Sequence, residues 1–334
     1  MRALVLAGVE RLEVRDVPDP VPAGRALVAV ERAGLCGTDL KLFAGMPRVD
    51  YPRILGHELV GRVIRAAAAG RVAEGTRVLI DPAVACGHCH VCHADRPNLC
   101  PNGALMGREV DGGLADHIAV DDRQLLPVPE GLPLDEASLL QVLGVCVHAQ
   151  RRVSVFPGQI AAVLGLGVGG LLHTQLLAAR GVRVVGITRS AGKRKLAEEL
   201  GAAVTCAPGE AADRVREVTD GRGVDLVVES VGTMATLAQA IELAGPGGTV
   251  LLYGIVADGE GRMPYYDLYY KELDIVSSRA AVPGDYATAI DLVASGQVRV
   301  APLVSGTFGL EDGAAAFTAL RTRSDLIKVL VEIG

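Results

Sequence analysis

Apolar runs alternate with amphipathic stretches through the middle of the chain. An apolar run at 160–164 is followed by a glycine-rich turn, a stretch with helical spacing, and a second apolar run at 182–187. Strand-like runs at 226–228 and 249–253 alternate in the same way with helical stretches at 191–200 and 234–244. This alternation is typical of a doubly wound parallel sheet, so the pattern predicts an α/β domain here.

The pattern on either side of this region is different. Short strand-like runs are expected within 1–30 and at 59–64, 75–80, 114–120 and 125–128, separated by segments rich in proline and glycine. A helix is expected from about Asp135, and after the α/β region a second helix at 285–294 and a closing strand at 326–331. No internal repeat or low-complexity segment is found.

The glycine-rich turn has the spacing Gly165-x-Gly167-x-x-Gly170, with Val168 and Gly169 between the last two glycines. Gly165 allows the tight turn, Gly167 allows backbone to approach a pyrophosphate, and Gly170 allows the helix to pack closely on the strand. The helix N-terminus then faces the phosphates. The strand before and the helix after favour a dinucleotide site over the alternative, a glycine turn without a ligand.

Composition and charge exclude several classes of protein. The chain has 334 residues, half of them apolar, with 33 basic against 39 acidic residues and a net charge of -6. Without a run of like charge, neither nucleic acid nor a membrane surface is an expected partner. The longest apolar run, 160–172, is shorter than a membrane span, and the N-terminus lacks a signal-peptide pattern. These features favour a cytoplasmic globular protein.

Seven cysteines are distributed unevenly, and four of them form a cluster with metal-ligand spacing. The cluster is Cys86-x2-Cys89-x2-Cys92-x7-Cys100. Four thiolates at this spacing can close around one zinc ion and leave no position open for chemistry, so a structural zinc is predicted. The histidines between these cysteines are expected to be solvated, and they are His88, His90 and His93.

Together with the glycine turn and the cysteine cluster, two further segments establish a resemblance. Residues 34–39 read Gly-Leu-Cys-Gly-Thr-Asp, and residues 56–58 read Gly-His-Glu. Over essentially its entire length the chain resembles the zinc-containing medium-chain alcohol and polyol dehydrogenases, in the branch of sorbitol and threonine dehydrogenases. The resemblance implies a mainly β, GroES-like catalytic domain formed by 1–145 and 279–334, with the zinc lobe at about 84–102. It also implies a Rossmann domain at 146–278, with the active site between the two domains.

The same resemblance assigns roles to residues near the N-terminus. Cys36, His57 and Glu58 match the ligands of a catalytic zinc, and this set leaves a position open for a substrate oxygen. Asp39 matches a residue that orients the histidine ligand. Thr38 matches the hydroxyl that takes the proton of the alcohol, although a threonine here can also be a turn or capping residue.

Two positions depart from the pattern of the resembled family. Gln141 stands where relatives carry a glutamate or cysteine near the zinc, and an amide oxygen is a weaker ligand than either anion. We therefore expect Gln141 to face the metal, directly or through water, and the catalytic zinc to be lost to a chelator before the structural zinc. Lys41 stands where many relatives have the histidine that ends the proton relay. It either relays through water, lies on the cofactor, or is solvated.

The end of the second strand of the α/β region bears on cofactor choice. Proteins that bind the non-phosphorylated dinucleotide place Asp or Glu there, whereas this chain has Thr188-Arg189-Ser190, followed by Lys193 and Arg194. Cations in place of a carboxylate favour the 2′-phosphate of NADP over NAD. In the alternative interpretation, Arg189 stacks on adenine, and Lys193 and Arg194 form a solvated helix face.

The resemblance implies the following function. The chain is expected to transfer a hydride between a nicotinamide cofactor and a secondary alcohol or its ketone, on a polyol, sugar-like or aminocyclitol substrate, using two zinc ions per chain. The alternatives are a zinc-free quinone or enoyl reductase and a non-catalytic nucleotide-binding sensor. Four tyrosines in 265–270 are expected at the interface of a homodimer or homotetramer, or in packing of the last helix and strand.

Overall fold

The computed structural model describes residues 1–255 and 259–334, which form two compact units. The first unit comprises Met1–Gly144, Val282–Gly296 and Val300–Gly334, and the second comprises Val145–Ala281 and Gln297–Arg299. The resemblance implied a first domain formed by 1–145 and 279–334 and a second at 146–278. In the structure, Gln297–Arg299 belongs to the second unit, where the Arg299 backbone exchanges hydrogen bonds with the Gln175 side chain.

The elements alternate along the chain much as the hydrophobic pattern predicts. The strands are β1 (Arg2–Gly8), β2 (Arg11–Asp16), β3 (Ala26–Gly34), β4 (Arg53–Ile54), β5 (Glu58–Arg65), β6 (Arg77–Ile80), β7 (Ala83–Val84), β8 (Ala104–Leu105), β9 (His117–Val120), β10 (Leu125–Pro127), β11 (Ile160–Leu164), β12 (Arg183–Ile187), β13 (Val204–Cys206), β14 (Val224–Glu229), β15 (Ala244–Leu252), β16 (Asp274–Ser277), β17 (Val304–Gly309) and β18 (Lys328–Glu332). The α-helices are α1 (Gly37–Phe43), α2 (His90–His93), α3 (Leu134–Ala137), α4 (Leu140–Arg151), α5 (Val168–Ala179), α6 (Ala191–Glu199), α7 (Ala211–Val218), α8 (Met234–Leu243), α9 (Tyr265–Tyr270), α10 (Pro283–Ala294) and α11 (Gly313–Thr322). Short 3-10 helices lie at Pro97–Leu99, Asp122–Gln124, Pro208–Glu210, Ala301–Leu303 and Leu310–Asp312.

The second unit contains a six-stranded parallel sheet in the order β13-β12-β11-β14-β15-β16. Numbered within this unit, the order is 3-2-1-4-5-6, the doubly wound arrangement in which ligands bind where the strand order reverses. That point lies between β11 and β14, at the carboxyl end of β11, where the glycine turn begins. The predicted doubly wound sheet is confirmed.

The strands of this sheet are apolar because helices cover both of its faces. All five residues of β11 are buried, as are four of the five in β12. Helix α5 is buried along most of its length, which explains why it is apolar on nearly all sides rather than on one stripe. One core cluster of the second unit lies between the sheet and helices α7 and α8, and α5 packs against β11 and β12.

The first unit is built on a seven-stranded sheet that is mostly antiparallel. Its order is β10-β6-β5-β3-β18-β17, with β9 pairing to β3, and a smaller sheet has the order β2-β1-β4. Gly34, at the end of β3, is paired with Glu58 of β5 on one side and with Leu330 of β18 on the other. The C-terminal strand thereby lies beside the segment that carries Cys36 and His57.

The core of the first unit fills the space between these sheets and α11, which packs against β18. Phe43 at the end of α1 contacts Phe317 of α11, with ring centroids 5.6 Å apart. This contact anchors α1, the helix that follows Cys36. Among the helices in 1–255 and 259–334, none is both long enough and apolar enough to cross a membrane.

Candidate metal and cofactor sites

Cys36 and Asp39 are held together at the start of α1. Cys36 is the N-cap residue of this helix, and its backbone N–H donates to Oδ2 of Asp39 at 2.9 Å. A carboxylate in the first helical turn that accepts from the N-cap N–H is a common way to begin a helix, since that donor has no partner within the helix. This hydrogen bond fixes the orientation of the Asp39 carboxylate next to Cys36.

His57 lies next to Asp39 in the buried interior of the first unit. Its Nδ1 is 3.4 Å from Oδ1 of Asp39. Burial alone would lower the pKa of His57, but the charge and hydrogen bonding of Asp39, aided by Cys36, raise it well above the usual value. Burial opposes ionisation of Asp39, yet the charge and hydrogen bond of His57 outweigh it and lower the pKa of Asp39. Because Asp39 faces Nδ1, Nε2 is the ring nitrogen left for a ligand.

Cys36, His57 and Glu58, which the resemblance assigns to a catalytic zinc, lie close together. One potential ligand atom from each of the three residues lies within 4.8 Å of the other two. His57 and Glu58 are buried, and Cys36 is half-buried. A thiolate, an imidazole and a carboxylate are ligands that zinc accepts, and the set is incomplete for a closed tetrahedron, so these residues fit a zinc with an open position.

Lys328 is a member of this site that the sequence did not reveal. Its ammonium group contacts the Glu58 carboxylate, and it donates to the carbonyl oxygen of Leu35 at 2.9 Å. Both charged side chains are 1% exposed. A Cβ atom on Gly34 would lie 2.8 Å from Cε of Lys328, so the glycine makes room for the pair.

The contact with Lys328 changes the net charge expected at the metal site. The sequence pointed to two anionic ligands, Cys36 and Glu58. In the structure, the ammonium group beside Glu58 neutralises one of these charges. A buried carboxylate paired in this way is a weaker donor to a metal than a free one, since a second cation competes for its oxygen atoms.

The remaining predicted residues of the first unit differ in their surroundings. Thr38 and Lys41 lie on α1, and both are half-buried. Gln141 is buried near the start of α4, and the ring of Tyr286 packs against Gly144, three residues further along this helix. Tyr286 is a second residue that the sequence did not connect with the site.

The four cysteines of the predicted zinc lobe form a compact cluster. Their Sγ atoms are separated by 3.4 Å for Cys86 and Cys100, 3.5 Å for Cys89 and Cys92, 3.8 Å for Cys89 and Cys100, and 4.0 Å for Cys86 and Cys92. A tetrahedral zinc with Zn–S bonds of about 2.3 Å keeps its sulfurs about 3.8 Å apart. The cluster therefore fits a closed zinc site.

The titration behaviour of the cluster supports the need for a cation. A backbone hydrogen bond from His88, with others from neighbouring groups, lowers the pKa of Cys86 to about 6. Burial and the neighbouring thiols raise the pKa of Cys92 to about 12. Four thiolates this close can be ionised together only when a metal balances their charge. His88, His90 and His93 are exposed, as expected for residues outside the ligand set.

The glycines of the turn after β11 have different surroundings. Gly165 has a φ of +88°, and a Cβ there would lie 2.6 Å from Val231. A Cβ on Gly170 would overlap the carbonyl oxygen of Gly165 and lie 2.9 Å from its carbon. Gly167 is exposed, and among the described residues none places an atom within 4 Å of the corresponding position. Gly167 therefore borders open space at the N-terminus of α5, where a phosphate can approach the backbone.

The segment after β12 forms a capped turn. Ser190 is the N-cap residue of α6, and its hydroxyl accepts from the backbone N–H of Lys193. Arg194 donates to the carbonyl oxygens of Thr188 at 2.9 Å and Arg189 at 3.1 Å, so it holds the turn. The Arg189 side chain is exposed. Residues 188–190, all of which the structure describes, include no carboxylate that could bind the ribose hydroxyls.

Models of two protein families match the chain. The alcohol dehydrogenase GroES-like domain matches residues 22–130, and the zinc-binding dehydrogenase model matches residues 167–295. The first match lies within the mainly β first unit. The second covers most of the parallel-sheet unit and continues through α10 of the first unit.

Similar proteins and structures cover nearly the whole chain. D-xylulose reductase A of Aspergillus oryzae is 30% identical over 98% of this chain and 96% of its own length. Sorbitol dehydrogenase of Bacillus subtilis is 29% identical over 99% of this chain and 97% of its own. A protein described as a candidate zinc-binding dehydrogenase, from Sinorhizobium meliloti 1021 and bound to NADP, is 35% identical with a TM-score of 0.91. That similarity covers 99% of this chain and 98% of the solved one.

Proposed function

The chain belongs to the zinc-containing medium-chain alcohol and polyol dehydrogenases, and on that premise we propose a specific reaction for it. As a member of this family it is an oxidoreductase that acts on alcohols with a nicotinamide dinucleotide. The proposed reaction is zinc-dependent hydride transfer between NADP and a secondary alcohol or its ketone, on a polyol, sugar-like or aminocyclitol substrate.

The observation that carries the proposal is the convergence of Cys36, His57 and Glu58. A zinc held by Cys36 and His57, with Glu58 and Gln141 as further donors, would polarise the oxygen of the substrate. The zinc-free reductases considered as an alternative do not require such a set. A nucleotide-binding sensor does not require it either, so the cluster favours the zinc enzyme.

The residues around Cys36 and His57 have separate roles in this proposal. Asp39, with Oδ1 3.4 Å from Nδ1 of His57, favours the tautomer in which Nδ1 carries the proton and Nε2 is presented to the metal. Thr38, one residue before Asp39 on α1, accepts the proton of the alcohol and passes it on. Lys41 lies one turn further along the same helix and is the candidate for the next step of proton transfer.

The proposed preference for NADP rests on the turn after β12. Gly165, Gly167 and Gly170 support binding of the pyrophosphate at the first turn of α5, where the N–H groups of Val168 and Gly169 point outward from the helix end. Arg189 is exposed, and the turn that carries it is held by the Ser190 cap and by Arg194. An exposed guanidinium on a rigid turn can pair with a 2′-phosphate. Lys193, in the first turn of α6, adds a second positive charge.

The substrate class is proposed from the relatives rather than from the shape of a pocket. Two relatives are named for D-xylulose and sorbitol, which are polar, hydroxylated molecules. A chain similar to both over nearly its full length is expected to take a substrate of that class.

We also propose that the chain forms a homo-oligomer through its second unit. Tyr265, Tyr266, Tyr269 and Tyr270 of α9 are 70 to 75% exposed, so they do not pack the interior of the unit. Strand β16, which follows α9, is the edge of the parallel sheet and exposes Ile275. Exposed aromatic residues beside an unpaired strand edge are typical of a surface covered by a second copy. Replacement of Tyr269 and Tyr270 by serine should dissociate the oligomer in analytical ultracentrifugation.

The zinc content of the purified protein tests the proposed function. We expect two zinc ions per chain, one of which is absent from the Cys36→Ala variant. Cys206→Ala is the matched control, because Cys206 is buried in the second unit outside both clusters, and this variant should retain two. One zinc per chain in the unmodified protein would contradict the proposal.

Kinetics with both cofactors tests the finer claims. Xylitol and sorbitol oxidation with NADP should show a kcat/KM at least about tenfold above that with NAD, a difference of about 1.4 kcal/mol. Equal efficiencies would refute the NADP preference without affecting the zinc chemistry.

A further inference from the structure

Tyr253 packs on the first turn of α5 within the second unit. It directly follows β15, and Gly169 is the second residue of α5. A Cβ on Gly169 would lie 2.5 Å from Cε1 of Tyr253 and 3.1 Å from both Cζ and the hydroxyl oxygen. The tyrosine ring therefore occupies the space that a side chain at residue 169 would fill.

The same ring also contacts the next turn of α5. His173 lies four residues after Gly169 and therefore on the same face of the helix. The ring centroids of His173 and Tyr253 are 4.6 Å apart, and the two ring planes form an angle of 84°. Aromatic rings favour this edge-to-face arrangement. Because Tyr253 contacts two successive turns, its ring restricts tilting of the start of α5.

Helix α4 supports the same face of α5 through two polar side chains. The Cys146 thiol, a weak donor, lies 3.4 Å from the hydroxyl oxygen of Tyr253 and 3.8 Å from the carbonyl oxygen of Gly169. One turn further along α4, Nε2 of Gln150 donates to the carbonyl oxygen of His173 at 3.1 Å and to Nδ1 of its ring at 3.2 Å. A carbonyl oxygen only accepts, so the Gln150 atom that faces it must be Nε2.

The side chains that support Tyr253 are buried and uncharged. Cys146 and His173 are fully buried, and Gln150 is 3% exposed. Burial lowers the pKa of His173 to about 3, so the imidazole is neutral and its Nδ1 can accept from Gln150. Moving α5 away from α4 would leave these polar groups buried without their partners, which is costly. The contacts therefore resist displacement of the helix.

We propose that Tyr253 is a positioning residue for the dinucleotide, whose ring, supported by His173 and Cys146, holds the first two turns of α5 in the orientation that binds the pyrophosphate. The inference rests on the proposed function, in which the N–H groups of Val168 and Gly169 face the pyrophosphate. A site that is held in its binding orientation loses less conformational freedom when the ligand binds, so its affinity is higher.

Removal of the ring tests the positioning role through cofactor affinity. Tyr253→Ala should raise the Kd for NADP, measured by isothermal titration calorimetry, at least about tenfold. Tyr253→Phe keeps the ring and should change the Kd by less than about threefold, since the thiol is a weak hydrogen-bond partner. Leu243→Ala is the matched control, because Leu243 is buried in the core cluster beside α7 and α8. It should lower stability but leave the Kd unchanged. An equal rise in Kd in Leu243→Ala would overturn the proposal.

A double-mutant cycle tests whether Tyr253 acts through Gly169. The three atoms nearest to the methyl group of Gly169→Ala would all belong to Tyr253. This substitution should therefore displace the ring or the helix and raise the Kd for NADP by about tenfold. In a Tyr253→Ala background the ring is absent, so Gly169→Ala should change the Kd by less than about twofold. A similar effect of Gly169→Ala in both backgrounds would overturn the proposal.

Hydrogen exchange in the protein without cofactor separates this inference from the proposed function. The backbone N–H of Leu171 donates to the carbonyl oxygen of Gly167 at 2.9 Å and reports on the first turn of α5. Its exchange, followed by NMR on the 15N-labelled protein, should be several-fold faster in Tyr253→Ala than in Tyr253→Phe. Equal exchange in the two variants would overturn the positioning role. Protection that depends on the ring, in a protein that does not bind NADP, would refute the proposed function alone.

Discussion

Replacement of Gly167 by alanine should separate cofactor affinity from folding. Gly167 caps α5 with a φ of -73° and a ψ of -171°, values that alanine adopts without strain. Within 1–255 and 259–334, no atom lies within 4 Å of the added methyl. Gly→Ala at a compatible position stabilises a protein by about 0.4 to 1 kcal/mol, because it restricts the unfolded chain. The variant should therefore be as stable as the unmodified protein or slightly more stable.

Cofactor binding by the same variant should be weaker. The added methyl group occupies the open space at the N-terminus of α5 that the pyrophosphate needs. We expect the Kd for NADP, measured by isothermal titration calorimetry, to rise at least about tenfold, a loss of about 1.4 kcal/mol.

Gly170→Ala should show the opposite behaviour. The new Cβ would overlap the Gly165 carbonyl oxygen and lie 3.0 Å from Oγ of Ser230, in a region where backbone cannot easily move. We expect a loss of about 1 to 3 kcal/mol or more in the free energy of unfolding, the usual cost of overpacking. Gly209→Ala is the control, since Gly209 is exposed in the same unit and borders open space. Unchanged NADP affinity in Gly167→Ala, or unchanged stability in Gly170→Ala, would refute the roles assigned to these glycines.

Three further predictions concern buried charge and metal. Lys328→Met leaves Glu58 as a buried carboxylate without its partner and should lower the free energy of unfolding by about 3 kcal/mol. The Glu58→Gln/Lys328→Met double variant should recover most of this lost stability. A denaturant titration that shows no recovery would contradict the pairing. Asp81 has a raised pKa in the folded protein, so its contribution to stability is greatest below its unfolded pKa of 3.8 and declines as the pH rises towards about 6. The decline amounts to about 3 kcal/mol, so the stability of Asp81→Asn relative to the unmodified protein should increase over this pH range, and a constant difference would refute the assignment. A dilute chelator should remove the zinc held by Cys36 and His57 before the zinc of the cysteine cluster; simultaneous loss of both would argue against a weak amide ligand at Gln141.

The features that the sequence predicts correctly depend on short separations along the chain. The glycine turn, its flanking strand and helix, and the cysteine cluster each lie within about 30 residues, so spacing alone defines their local chemistry. The parallel sheet was likewise evident from alternating apolar and amphipathic stretches. The sequence left open whether the α9 tyrosines are exposed, because an aromatic cluster is compatible with both a core and a surface.

The resemblance to a family identifies candidate ligands that the spacing of residues along the chain does not. Cys36 and His57 are 21 positions apart, and nothing in their local sequence requires them to meet. The motifs around them identify the family, and the structure then brings these side chains together with Glu58.

By itself, then, the sequence predicted the order of the elements, the fold class and the cysteine cluster, and its resemblance to a family supplied Cys36, His57 and Glu58 as candidate ligands. Only the tertiary structure revealed that Lys328 neutralises Glu58 and that Tyr286 packs against Gly144 of α4. The physical reason is that both contacts join segments distant in the chain. Pairing of β18 with β3 brings Lys328 to Glu58, and packing of α10 against α4 brings Tyr286 to Gly144. Hydrophobic periodicity specifies which face of an element is buried, but the partner across that face depends on how the elements assemble.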